Sequence, residues 1–125
     1  MSGAGARLLV RLEAIRYSAL AVNLFEFVRP DAGSLPAFDA GSHIVAMDDL
    51  YGGTYRLLER VRKRSAGLAV SYVDLTDTAK LKAAIRPTTK LLWMETPTNP
   101  LLKLADIEAI AAEAHKQDVI VVVDN

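Results

Sequence analysis

Two apolar runs in this chain stop abruptly on polar residues. Lys90-Leu-Leu-Trp-Met-Glu95 gives way to Thr96-Pro-Thr-Asn-Pro100, and Val119-Ile-Val-Val-Val123 gives way to Asp124-Asn125. Short continuous apolar runs bounded by turn signals read as strands buried on both faces, and such strands belong to parallel sheets. His43-Ile-Val-Ala-Met47, ahead of Asp48-Asp49, and Leu68-Ala-Val-Ser-Tyr-Val73 repeat the pattern. Helical spacing separates the four runs. Tyr55 to Arg64 carries Leu57, Leu58 and Val61 on one face, and Gly67 stops it. A second helix, capped by Asp77, aligns Leu81, Ala84 and Ile85 and ends before Pro87. A third, capped by Asp106 and running to about Gln117, aligns Ile107, Ile110, Ala111 and Ala114. From residue 43 the order is β-α-β-α-β-α-β, which predicts an α/β fold with a parallel sheet and right-handed crossovers.

The first 42 residues have a different texture. Residues 7–17 partly alternate, with Leu8, Val10, Leu12 and Ala14 on one side. That pattern predicts a half-buried strand, with a helix as the alternative. Val22-Asn-Leu-Phe-Glu-Phe-Val28 is a clearer strand, ended by Arg29-Pro-Asp-Ala-Gly33. The short link between the two predicts an antiparallel β-hairpin. Residues 34–41 read as a loop anchored by Phe38. The expectation is one domain over 1–125, with an N-terminal hairpin segment (1–42) and a βαβαβαβ sub-domain (43–125).

Charge excludes several function classes. Fifteen basic and fifteen acidic residues cancel, so nothing favours nucleic acid or an anionic membrane as partner. Arg60-Val-Arg-Lys-Arg64 reads as a solvated helix face. The absence of cysteine removes disulfides, thiolate chemistry and zinc–cysteine sites. No apolar run reaches membrane-spanning length, and Met1-Ser-Gly-Ala-Gly-Ala6 precedes no signal-peptide core, which predicts a cytoplasmic protein. Neither a Walker loop nor a dinucleotide fingerprint nor a nucleophile elbow is present, and His43 and His115 lack ligand-like spacing.

The residues that could carry chemistry cluster at strand ends, where open α/β sheets bind ligands. Asp124 is either a cap beyond the sheet or a carboxylate able to pair with a cationic ring nitrogen or a metal. Tyr51, beside Gly52-Gly53, is either a surface turn or an aromatic lid over a flat ligand. Asn99, between two prolines, either forms an Asx turn or donates to a ligand oxygen. Glu95 lies near the same rim.

Three motifs resemble one known family. Met47-Asp-Asp-Leu-Tyr-Gly-Gly-Thr54, Trp93-Met-Glu-Thr-Pro-Thr-Asn-Pro100 and Val121-Val-Val-Asp-Asn125 are similar to the Cys/Met-metabolism family of pyridoxal-phosphate (PLP) enzymes, the group of cystathionine γ-synthase and γ-lyase. The resemblance implies pyridoxal 5'-phosphate as the parent family's cofactor. It implies that Tyr51 stacks on the ring, that Asn99 lies near its phenolic oxygen and that Asp124 pairs with its pyridinium nitrogen, with Glu95 at the rim. It also implies strand order 2-1-3-4 for the sub-domain. Strand 119–123 would then be an edge open to self-association. Family members are longer and continue to a Ser/Thr-x-x-Lys segment whose lysine forms the Schiff base. That segment and the glycine-rich phosphate turn do not occur here, so catalysis is not expected of this stretch.

Residues 7–44 resemble something else. Leu8-Leu-Val-Arg-Leu-Glu-Ala-Ile-Arg16, Phe25-Glu-Phe27 and Leu35-Pro-Ala-Phe-Asp-Ala-Gly-Ser-His-Ile44 are similar to the start of phthalate dioxygenase reductase and vanillate demethylase reductase-type flavin reductases, although the flavin motif is absent. The two resemblances meet at Gly41-Ser-His-Ile44. Together they imply a chimera, an engineered or recombined folding unit without catalytic activity. The alternatives are a transsulfuration-enzyme fragment with residual PLP binding and a flavin-binding module.

Overall fold

The computed structural model describes residues 9–12 and 40–124. The chain order is β1 (Leu9–Leu12), β2 (His43–Met47), a helical stretch, β3 (Ala69–Val73), α3 (Thr78–Ala84), β4 (Thr89–Glu95), α4 (Ile107–His115) and β5 (Ile120–Asp124). The helical stretch has three parts: α1 (Gly52–Arg56), a π-helical centre (Leu57–Arg62) and a last turn, α2 (Lys63–Ser65). It begins three residues ahead of the expected Tyr55, because Gly52 and Gly53 enter the helix instead of forming a separate turn. Its stop is as expected: Gly67 takes a positive φ of 62°, and its carbonyl accepts from the Gly41 N–H at 2.9 Å.

One five-stranded sheet holds the molecule together, in the order β1-β5-β4-β2-β3 and parallel at every pairing. Numbered within the sub-domain, its four strands lie 2-1-3-4, the order the resemblance implied. Strand β2 is central. Every residue of β2 and β5 is buried, whereas β3, on the outside, is half-buried throughout. Strand β5, expected at an edge, is flanked on both sides: β4 on one, and Leu9–Leu12 on the other in register with Val121–Asp124. The antiparallel partner expected for this N-terminal strand, residues 22–28, lies outside the described residues, as does the Phe38 anchor.

Register fixes which side chains share a face, because they alternate along each strand. Tyr72, Ala46, Trp93 and Val122 align across the sheet, and so do Glu95 and Asp124 two residues further on. Tyr55 of α1 packs on Tyr72, with ring centroids 5.1 Å apart, so the helical stretch covers this face. The opposite face packs under α3 and α4, whose Leu81, Ile110 and Ala114 are completely buried. Leu81 and Ile110, the two large apolar side chains among them, contribute about 1.5–3 kcal/mol each. Both helices start on the expected aspartates. Asp77 accepts from the Ala79 N–H at 2.9 Å and Asp106 from the Ala109 N–H at 3.0 Å, contacts worth about 1 kcal/mol each.

His43 stands at the other end of the sheet. It is completely buried, with Nδ1 2.6 Å from the Thr89 hydroxyl and Nε2 2.8 Å from that of Ser71. Burial, and secondarily the Arg86 charge, hold the imidazole below its ordinary pKa. With both nitrogens engaged by hydroxyls, His43 ties β2, β3 and β4 together.

Candidate functional site: a carboxylate rim at the strand ends

Parallel strands deliver their C-terminal residues to one rim, and here three of them deliver buried acids. Asp49 follows β2, Glu95 ends β4 and Asp124 ends β5. All three are buried, with Glu95 4% and Asp124 6% exposed. Glu95 and Asp124 are register partners, and the Thr96 N–H continues the ladder to the Asp124 carbonyl at 3.2 Å.

Each acid has a different environment. Asp49 is satisfied: it accepts from the Thr98 hydroxyl and from the Leu101 N–H at 3.0 Å. Both Glu95 oxygens lie 3.1 Å from the Tyr51 N–H. Asp124 makes no side-chain hydrogen bond or ion pair among the described residues. Desolvation raises Glu95 to about 7, with the Asp124 and Asp49 charges adding to it against the Tyr51 hydrogen bond. Desolvation alone raises Asp124 to about 6. A buried carboxyl that no cation neutralises resists ionisation, and it would ionise readily beside a cationic ligand.

The loop after β4 frames this rim. Thr98 Oγ1 accepts from the Lys103 N–H at 2.8 Å, and Thr96 Oγ1 from the Ala105 N–H at 3.2 Å. The Thr96–Pro97 and Asn99–Pro100 peptides are cis. Lys103 pairs with Asp48 at 3.4 Å and Asp74 at 3.8 Å. Leu101, Leu102 and Leu104 of the same loop are exposed.

Three of the residues singled out from sequence therefore come together: Tyr51, Glu95 and Asp124. Asn99 does not join them by any hydrogen bond in the described structure; it is exposed on the loop. The expectation missed Asp49, Thr96 and Thr98, which build the frame. Their only sequence signal is position, at a strand exit and between prolines. Gly53 has a specific reason to be glycine, since a methyl there would collide with Cε1 of the Tyr51 ring. Among the described residues no group of three or more histidine, cysteine or acidic side chains could hold a metal ion, and no helix is long and apolar enough to cross a membrane.

The sequence pattern of the Cys/Met metabolism PLP-dependent enzymes matches residues 33–125. The chain belongs to that family. It is 52% identical to the cystathionine beta-lyase of Coxiella burnetii over 91 residues, covering 73% of this chain and 24% of that protein. It is 55% identical to the cystathionine gamma-lyase of Rattus norvegicus over 87 residues, covering 69% and 22%. The fold superposes on the crystal structure of cystathionine gamma-lyase from Lactobacillus plantarum complexed with L-serine, with a TM-score of 0.73 and 42% identity. That superposition covers 86% of this chain and 26% of the other. The chain thus spans about a quarter of the length of the relatives it matches. The family match begins at residue 33, ahead of the expected seam at Gly41, and takes in residues 35–44 that the reductase resemblance also claims.

Proposed function

We propose that this segment of a cystathionine lyase- or synthase-type chain carries the ring-binding side of a PLP site. The observation behind the proposal is the buried Asp124 carboxylate, which has no partner among the described residues and lies beside a second acid at the strand-end rim. Its chemistry fits a protonated ring nitrogen. Asp124 would hold that nitrogen in its charged form, and the bound cofactor would then supply an electron sink for bond cleavage at an amino-acid substrate. Tyr51 would cover the ring face, with Gly53 leaving room for the phenol. Asn99 is assigned as the amide donor to the phenolic oxygen, on the family resemblance. Glu95 completes the rim.

Cystathionine-like amino acids are the proposed substrates of the whole protein, after the relatives' names. No lysine of residues 1–125 is proposed as the Schiff-base residue. Lys103, on the loop that frames the rim, is engaged by Asp48 and Asp74. This reading does not depend on whether residues 7–32 share an origin with the rest.

The test is a PLP titration of the chain beside Asp124→Ala, followed by absorbance and with borohydride reduction to count lysine adducts. Saturable binding that weakens on substitution supports the assignment. Equal, non-saturating signals, with adducts spread over surface lysines, refute it.

A further inference from the structure

Glu95 stands on the rim, yet both of its oxygens are turned to the Tyr51 backbone. Each lies 3.1 Å from the same N–H. The Tyr51 carbonyl is held as well, accepting from the Tyr55 N–H at 3.1 Å in the first turn of α1. Tyr51 is the N-cap of that helix, with extended backbone (φ −49°, ψ 132°) and no capping hydrogen bond from its own side chain. Its backbone is therefore pinned from two directions, by the end of β4 and by the helix it starts. The ring lies over Gly53, in the space that a side chain there would fill. Glu95 is register partner to Asp124, so the group that holds Tyr51 sits one strand from the proposed partner of the ring nitrogen.

We propose that Glu95 is a positioning residue: it tethers the Tyr51 amide to the end of β4 and so sets the Tyr51 ring at a fixed place relative to Asp124. The inference deepens the PLP reading and rests on it. It moves Glu95 from the set of ligand contacts to the support behind one. A lid residue hung only on a loop would lose conformational freedom when it closed on a flat ligand, and that loss would weaken binding. A backbone already tethered in the free protein avoids it. The acceptor matters more than the charge, since the amide needs only an oxygen. Glutamine retains that oxygen and alanine does not.

The experiment is amide hydrogen exchange of Tyr51 by NMR in the full chain without PLP, for the wild type, Glu95→Gln and Glu95→Ala, paired with PLP titrations of all three. Loss of one hydrogen bond corresponds to roughly tenfold faster exchange. The expected result is that Glu95→Ala speeds Tyr51 exchange about tenfold and weakens PLP binding by a similar factor, while Glu95→Gln keeps both near wild type. Unchanged Tyr51 exchange in a folded Glu95→Ala chain would overturn the tether. Faster exchange with unchanged PLP affinity would overturn its role in setting the ring. A wild-type chain that binds no PLP, while Glu95→Ala still frees the Tyr51 amide, would refute the cofactor reading and leave the tether standing. The Glu95→Gln arm covers the case in which the alanine variant does not fold.

Discussion

Glu95 and Asp124 face each other as register partners on adjacent parallel strands, both buried and neither in an ion pair among the described residues. Two acids so placed cost the fold stability, because burial penalises each charge and the two charges repel. In the PLP reading proposed above, Asp124 would recover its share of that cost beside a cationic ring nitrogen.

The cost has a defined pH dependence. Folded Glu95 titrates at about 7 and Asp124 at about 6, against ordinary values of 4.5 and 3.8. Both are raised, so the unfolded chain loses these protons first. Stability from the pair is complete below about pH 4 and is lost as pH rises through about 7. For Glu95 alone the shift corresponds to roughly 3 kcal/mol. His43 works in the opposite direction. Its lowered pKa favours the neutral ring in the fold, and its contribution is lost as pH falls below 6.5. A difference measurement isolates the acid. The stability of Glu95→Gln relative to wild type should rise by roughly 2–3 kcal/mol between pH 4.5 and pH 8 in urea unfolding.

Gly53→Ala separates the ring of Tyr51 from its backbone. The added methyl meets the ring, while the Glu95 tether is untouched. Alanine also favours the helix by up to about 1 kcal/mol, so stability should be held or slightly raised. PLP affinity should nevertheless fall about tenfold, equivalent to roughly 1.4 kcal/mol, with Tyr51 amide exchange unchanged. Absorbance titration and NMR exchange on one sample check both.

Thr98→Val tests the frame. The Thr98 hydroxyl donates to Asp49 and accepts from the Lys103 N–H, so its removal leaves the buried Asp49 carboxylate with only the Leu101 N–H and takes the side-chain acceptor from the Lys103 N–H. The expected cost is about 1–3 kcal/mol in chemical unfolding. Asp106→Ala, which removes only an exposed helix cap, should cost about 1 kcal/mol and leave PLP titrations unchanged.

The parts of this fold legible in the sequence are those governed by local physics. Continuous apolar runs marked β2, β4 and β5 because strands buried on both faces leave no polar side to alternate. Asp77 and Asp106 marked helix starts because a cap acts within three residues. The Glu95–Asp124 rim was legible because both acids end such runs. Strand order came from the family resemblance rather than from the pattern. Contacts that depend on that order were hidden: Asp49 with Thr98, Tyr51 with Glu95, and His43 with Ser71 and Thr89. Each joins residues at least 28 positions apart. His43 looked like a lone histidine because its partners are hydroxyls on neighbouring strands. Asn99 carried the right motif, yet its side chain is exposed, since the loop's hydrogen bonds are made by Thr96 and Thr98.

Asp124 is the residue proposed to hold a protonated ring nitrogen. The most direct measurement is the nitrogen-15 chemical shift of PLP labelled in the pyridine ring, bound to the wild-type chain and to Asp124→Asn at pH 8. A protonated ring nitrogen in the wild type that reverts to the neutral form in the asparagine variant is the expected result. An unprotonated nitrogen in both, or the same protonated signal in both, would contradict it.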